Sequence, residues 1–533
     1  MKAALALSAL SATAVLAYQH DAVNPRHVPA LPLPGAVALH HADKPLFDLG
    51  GDAVPLTLNH RGGNARAALY GLSDNRPWFV PEHPLALAAD YTATSRVVHR
   101  DADTQRERVD HRHWTFTTAD GQWRGSENLA MGSLRNAHDP QLATQADGTV
   151  LALWQHSSDG ESSLWWNRFN PLSGWSSARK LASDIAGRAA MASTPRGDAI
   201  AVWTRSAAED RARLISESVW AARFAPDSGW SEPTQIDRPG AASSHLPRIA
   251  LSADGSALAV WETHTADTVW GNLYRPQTGW QGAKPLDQGG PDLVDAPRVG
   301  ADARGRFTLS WRRYRKADTS LWVRQYQPGS GWQYPQKITD SLDGQVRDHR
   351  LAVTDDGTAV SLWVQGAGNT GHVYASRHTP GLGWRAPVAV QRDPDTESAL
   401  PSLALGPHGD AIAVWMQRRA SSQAAWQVHA SQFRAQRWGT PAPLARDGEG
   451  GYPRAAIDSN GNALVAWSRV DDGGASVWAR RYSARSGWSH AHAITPRSAM
   501  LAALVVDPGG RALAIGQRQD AHGQMRVWAN RFE

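Results

Sequence analysis

Seven short apolar runs of the form A-L-V-A-W recur along this chain, ending at Trp154, Trp203, Trp261, Trp311, Trp363, Trp415 and Trp467, at intervals of 49, 58, 50, 52, 52 and 52 residues. An eighth copy, A-L-A-I-G, follows 49 residues later with Gly516 in the Trp place. A second marker, usually Gly-Trp, stands at Trp123, Trp175, Trp230, Trp280, Trp332, Trp384, Trp438 and Trp488, and six residues beyond each lies an aliphatic residue: Leu129, Leu181, Ile236, Leu286, Ile338, Val390, Leu444 and Ile494. A repeat of this period confines the chain to architectures in which each unit buries its apolar face against the next.

Within the clearest unit, residues 457–494, the local chemistry predicts four short strands. A first strand runs into a turn at Ser459-Asn460-Gly461, and A-L-V-A-W is the continuous apolar run of a strand covered on both faces. Val477 to Tyr482 alternates, placing Trp478, Arg480 and Tyr482 on one face. A Ser486-Gly487 turn leads into the fourth strand. Four antiparallel strands per unit, repeated radially, predict an all-β fold, an eight-bladed β-propeller of four-stranded antiparallel blades. The repeat opens on a fourth strand, Trp123 to Leu129, and ends on a third, Val527 to Phe532. Seven whole units and one composite unit then close the ring through an N-terminal strand, which leaves no open sheet edge. The tryptophans, 25 in all, read first as wedge-fillers between blades.

The 55 Lys and Arg are interleaved with 50 Asp and Glu for a net charge of +5 over 533 residues, with no basic run, which argues against a nucleic-acid partner. The absence of cysteine excludes disulfides, thiolate metal sites and thiol catalysis. At the N-terminus, Lys2, the apolar stretch Ala3 to Leu16 and the Val15-Leu16-Ala17 cleavage pattern read as a signal peptide, 1–17, cut before Tyr18. Its roughly 15 apolar residues fall short of the about 20 that a spanning helix needs. A periplasmic or secreted protein of Ala- and Arg-rich, bacterial composition is expected, with no membrane span. Residues 18–110 read as an irregular N-terminal extension packed on the propeller, or as a small β-rich segment in which A-V-P-L-T-L and R-A-A-L-Y-G-L are strands, and 111–533 read as the propeller, in which His111 to Thr118 is a weak copy of a third strand.

Turns such as Pro226-Asp227-Ser228-Gly229-Trp230 carry a resemblance: the chain resembles the bacterial exported β-propellers, and these turns are similar to the Asp-box turns of sialidase-like propellers, which also join third and fourth strands. The family pattern Ser-x-Asp-x-Gly-x-Thr-Trp is met in no copy. The resemblance implies a shape and a habit of binding glycans, and carries no catalytic residue across.

No nucleophile elbow, phosphate-binding loop, His-Glu-x-x-His or EF-hand is present. His111 with His113, and His490 with His492, offer two imidazoles each, and a metal would need a third ligand from afar; no cofactor is expected. The distinctive signal is Arg recurring thirteen residues before the marker Trp, as Arg248, Arg298, Arg350 and Arg454, after Pro in three copies and after His349 in the fourth. Other copies hold Gln141, Ala190 or Ser402 there, so packing does not demand Arg. His245, Asp295, Asp348 and Tyr452 lie close by, and loops after the marker Trp add Arg205, Glu262, Arg312 and Arg469. In a propeller the innermost strand borders the central channel, so these positions are expected to ring one mouth, where converging guanidinium forks suit carboxylate or sulfate. The competing reading pairs each Arg with a neighbouring Asp as a tie between blades. Function is accordingly expected to be that of an exported, monomeric, non-catalytic binding propeller for an anionic glycan or a protein partner. The alternative is a glycan-active enzyme, a glycoside hydrolase or polysaccharide lyase, with its site at the channel mouth.

Overall fold

A computed structural model describes residues 16–17, 37–39, 56–73, 76–81, 85–100, 107–129 and 136–533, the last interrupted at short loops such as 207–216. Of the expected signal segment, residues 1–15 lie outside the described ones. The described residues are all-β. Eight antiparallel sheets succeed one another: seven of five strands, and an eighth of four strands. We number them sheet 1 (137–183), sheet 2 (190–235), sheet 3 (244–288), sheet 4 (293–337), sheet 5 (345–389), sheet 6 (396–443), sheet 7 (449–493) and sheet 8 (499–532 with 123–128). The arrangement is that of a β-propeller of about seven to eight blades.

The apparent fifth strand is half of a broken fourth. In sheet 1, Gly174–Trp175 and Arg179–Ser183 both pair with Glu161–Asn170, and the same split recurs through sheet 7. Short, interrupted edges of this kind offer no long row of free amide groups to another chain. In sheet 8 the edge is instead Trp123–Asn128, paired antiparallel with Met525–Phe532, as the sequence predicts. Trp123 packs edge-on to Phe532 at 5.5 Å, and the Gln122 and Glu533 backbones exchange hydrogen bonds of 2.9 and 3.1 Å.

Each marker Trp is 0 or 1% exposed and packs between its own sheet and the one before. Trp311, for example, lies with Phe307 and Leu309 of sheet 4 against Leu258, Val260 and Val269 of sheet 3. The cluster of Trp154 and Phe169 with Leu513, Ile515 and Val527 joins sheet 8 to sheet 1. Gly516, the one copy without Trp, is required by the Met500 carbonyl, which overlaps the place where a Cβ would stand, and by Trp528. That ring is fully buried, donates its indole N–H to the Gln517 carbonyl at 3.1 Å, and lies 2.8 Å from where a Cβ on Gly516 would stand.

The described residues before Trp123 form a sheet, the β-rich segment of the two readings rather than the irregular extension. Its seven strands stand in the spatial order Leu16–Ala17, Arg76–Pro81, Gly63–Ser73, Leu56–His60, Asp90–Arg100, Glu107–Thr118 and Val37–Leu39. His111 to Thr118 pairs with Asp90 to Arg96 along a long hairpin and belongs to this leading sheet, not to a blade. Strands whose partners lie far off or across a long hairpin carry no period that would announce them. The leading sheet docks on the first-to-second-strand turns of sheets 6 to 8. Arg61 pairs with Asp410, His60 with Asn460 at 2.9 Å, the Leu87 N–H with the Gly509 carbonyl at 2.7 Å, and Arg511 with the Leu85 carbonyl at 2.8 Å.

Candidate functional site

The channel runs between two unlike ends. At one end the turns of all eight sheets converge on a depression of about 300 Å³, lined by residues such as Gln145, Pro195, Ala253, Asp355, Pro407 and Pro508. Toward the other end every innermost strand except that of sheet 2 carries a register shift, which falls immediately before the Arg position in sheets 1, 3, 4, 6, 7 and 8 and one residue earlier in sheet 5. At these bulges one residue takes a left-handed conformation: Asp139 (φ 48°), Leu246 (49°), Ala296 (51°), Leu400 (48°) and Tyr452 (53°). A non-glycine residue held there costs of order 1–3 kcal/mol and persists only where its surroundings impose it. Bulges bend the strand and re-aim side chains. Part of the cost is offset across the sheets, because the Ala296 N–H is taken by Glu262 of sheet 3 at 2.7 Å and the Leu400 N–H by Asp348 of sheet 5 at 3.3 Å.

Just past the bulges sit Arg248, Arg298, Arg350 and Arg454. Each folds one guanidinium N–H back onto the carbonyl of the preceding residue, Pro247, Pro297, His349 or Pro453, at 2.8–3.1 Å. Arg454 also reaches the Ala502 carbonyl of sheet 8 at 2.8 Å. Among the described residues none of the four makes an ion pair with an Asp, as the competing reading has it, although Arg454 does tie sheet 7 to sheet 8 through the Ala502 carbonyl. They lie close enough across the lumen to repel. Burial, then the charges of Arg248 and Arg350, bring Arg298 down to about 9, and burial, then Arg350 and Arg188, bring Arg454 down to about 10. Arg248 is lowered by burial and by Arg350, and Arg350 by burial against the pull of Asp348.

The remaining predicted residues sort into two groups. Glu262, Asp295, His245 and Arg312 gather beside the channel arginines of sheets 3 and 4. Asp295 accepts a fork from Arg312 at 2.9 and 2.7 Å and the Tyr314 hydroxyl at 3.0 Å, so Arg312 is a tie. His245 meets Glu217 at 3.0 Å. Burial, aided by Asp295, holds the Glu262 carboxyl above the usual range despite the Ala296 N–H. His349 is 2% exposed, and burial among Arg298, Arg312 and Arg350 keeps it neutral. Tyr452 is half exposed on its bulge. Arg205 and Arg469 do not converge on the channel; they lie over Trp220 and Trp478 of their own sheets at 4.3 and 4.9 Å. Arg188, which pairs with Asp139 at 3.2 Å and acts on Arg248 and Arg454, lies outside the repeat register and was not foreseen. Neither were Glu217 and Tyr314. No group of three or more His, Asp or Glu among the described residues is arranged to hold a metal ion, and no described helix is long and apolar enough to cross a membrane.

No family model and no curated protein sequence matches this chain. Solved structures do, at the level of fold. A protein of unknown function from Dyadobacter fermentans aligns at 12% identity and a TM-score of 0.39, over 78% of this chain and 99% of its own. The NanB sialidase of Streptococcus pneumoniae aligns at 11% and 0.32 over 90% of this chain and 95% of its own. The β-propeller domain of the trilobed protease from Pyrococcus furiosus aligns at 7% and 0.39 over 65% of this chain and 94% of its own. These are distant likenesses to β-propellers, in fold alone.

Proposed function

We propose that the chain is an exported, non-catalytic, eight-bladed binding propeller whose channel takes an anionic ligand, with the chemistry of a carboxylated or sulfated glycan. One observation carries this: four guanidiniums converge on a channel with no carboxylate in ion-pair reach among the described residues. Desolvated like charges are unfavourable until a counter-charge arrives, and one at 4 Å contributes about 4 kcal/mol at an effective dielectric of 20. Each arginine gives one N–H to the preceding carbonyl, and the Nε and second Nη of Arg248, Arg298 and Arg350 form the fork that suits the paired oxygens of carboxylate or sulfate. Export rests on the apolar segment before Tyr18.

Isothermal titration with polygalacturonate and with its fully methyl-esterified form tests the reading. Binding of the acid form at least tenfold tighter is expected, with the preference lost in the Arg298→Met/Arg350→Met protein. Equal affinity for both forms would overturn it.

A second reading has one observation in its favour. Glu262 has its carboxyl raised by burial beside Asp295, the direction of shift that a general acid needs. Release of reducing ends or of unsaturated products from an acidic polysaccharide, abolished by Glu262→Gln, would establish the enzyme in place of the binder.

A further inference from the structure

The junctions between sheets are stoppered on their outer side in one recurrent way. An arginine of one sheet lies against the third-strand aromatic of the next. Arg223 donates to the Tyr274 hydroxyl at 3.1 Å and Arg275 to that of Tyr326 at 2.7 Å. Arg377 lies over Phe433, Arg434 over Tyr482, Arg481 over Phe532 and Arg531 over Phe169, all at 4.8–5.4 Å. Between sheets 1 and 2, Trp166 fills the same space edge-on to Phe224. The junction of sheets 4 and 5 departs on both sides: Gln325 and Gln327 stand where an arginine would, and His378 stands where the aromatic would. A cleft of about 290 Å³ opens there.

We propose that this cleft is a second ligand site, separate from the channel, and that it takes a short neutral oligosaccharide. Its charged groups are already committed. Arg306 pairs with Asp302 and donates to the Asp356 carbonyl at 2.9 Å, and Arg324 donates to the Gln333 and Leu286 carbonyls at 2.6 and 2.5 Å. The polar groups left over are uncharged, chiefly the amides of Gln325, Gln327, Gln333 and Gln336 with the Tyr334 hydroxyl. On the rim stands Tyr334, 96% exposed, with Trp384 in the wall. Leu382, 73% exposed, occupies the neighbouring turn where other copies hold Ser173, Ser228, Thr278, Ser330 or Ser486. Aromatic faces with a negative quadrupole receive the weakly positive C–H face of a sugar ring, and amides exchange hydrogen bonds with its hydroxyls without preference for charge. The volume is near the lower end of ligand pockets, about 300–1,000 Å³. The adjoining cleft between sheets 5 and 6 makes the contrast, being lined by Arg377, Arg385 and Arg437.

The test uses saturation-transfer NMR and titration of the full chain with cellotriose, xylotriose, maltotriose and arabinotriose, beside trigalacturonate as the acidic counterpart. At least one neutral trisaccharide is expected to bind. Tyr334→Ala should weaken it tenfold or more. Gln325→Arg/His378→Tyr, which restores the stopper found elsewhere, should abolish it with an unchanged or higher melting temperature. Arg298→Met/Arg350→Met, aimed at the channel, should leave it untouched. Failure of all four neutral sugars to bind, or undiminished binding in the stoppered protein, would overturn the proposal. Loss of binding in the channel variant alone would do so as well, by assigning the sugar to the channel.

Discussion

On the mouth side of the bulges an arginine and its acid face each other across a strand pair, whereas beyond the bulges the residue opposite each arginine is uncharged. There the acids Glu262 and Asp348 act on Arg248, Arg298 and Arg350 without forming an ion pair. Arg312 is the cross-strand partner of Asp295, and Arg418 that of Glu397, and both form ion pairs of 2.7–2.8 Å. Arg248, Arg298, Arg350 and Arg454 stand opposite Val260, Ser310, Leu362 and Ala466. A few residues apart on the same strands, one residue type is neutralised in the first place and left bare in the second. Where the charge serves the sheet, an acid stands in register with it. The channel charge has no such partner in register, which is the observation on which the proposed anion site rests.

The largest expected effect comes from breaking a tie. Arg313 holds both oxygens of Asp287, across from sheet 4 to sheet 3, at 2.8 Å, and both side chains are largely buried. Arg313→Ala leaves that carboxylate buried without its partner, at a cost of about 3–5 kcal/mol. Urea unfolding should show the loss, and Arg313→Met/Asp287→Leu should recover most of it. An undiminished urea midpoint in Arg313→Ala would mean that the two classes of arginine do not differ.

The converse applies in the channel. Arg298→Met removes a desolvated charge that Glu262 and the Pro297 carbonyl offset only in part, so stability at pH 7 should be unchanged or higher. Burial, then the neighbouring arginines, bring Arg298 down to about 9 in the folded chain, far below its ordinary value, which the unfolded chain keeps. The cost of charging it is therefore present below about pH 9 and relieved as pH rises above it. The wild type should accordingly gain on the variant between pH 8 and 10.5. Sulfate should raise the melting temperature of the wild type more than that of Arg298→Met, since a ligand bound only to the folded chain stabilises it by mass action. A destabilised Arg298→Met protein would turn the channel arginine into another tie.

Much of this contrast was legible in the sequence, and the unread part has identifiable physical causes. Trp154 to Trp467 announce the blades because every junction has to be filled in the same way, and the exchange of Trp123–Asn128 with Met525–Phe532 follows from counting strands. Arg248, Arg298, Arg350 and Arg454 are legible because they share a register that their neighbours leave to Gln141, Ala190 and Ser402. The bulges were not legible: Asp139, Leu246, Ala296, Leu400 and Tyr452 have no common chemistry, since the conformation is imposed from outside by acceptors such as Glu262 and Asp348. Arg205 and Arg469 misled for a related reason. A sequence shows that a guanidinium is present, but not that a tryptophan face on the same sheet has claimed it. The leading sheet has no period, and its strands find partners only in three dimensions. Gln325 and His378, by contrast, are departures from the repeat that a sequence displays, and it is the cleft behind them that gives them meaning.

The smallest expected effect probes the same contrast through a proton. His349 stands where sheets 3, 4 and 7 place Pro247, Pro297 and Pro453, and its imidazole is buried beside Arg298, Arg312 and Arg350. Burial first, and then those charges, push it well below its ordinary value, so the folded chain keeps it neutral while the unfolded chain protonates it near 6.5. The stability that depends on a neutral His349 is thus complete above pH 6.5 and is lost as pH falls below it, at no more than about 1.4 kcal/mol per pH unit. His349→Pro, matching the other copies, should flatten that slope, which urea unfolding at pH 7 and pH 5 measures. An anion seated among the arginines cancels part of the repulsion acting on the imidazolium, so saturating sulfate should shrink the acid loss of the wild type and leave the variant unmoved. Parallel pH profiles for the two proteins would separate His349 from the channel. Parallel profiles only in the presence of sulfate are the result expected if the four arginines and the buried imidazole share one electrostatic site.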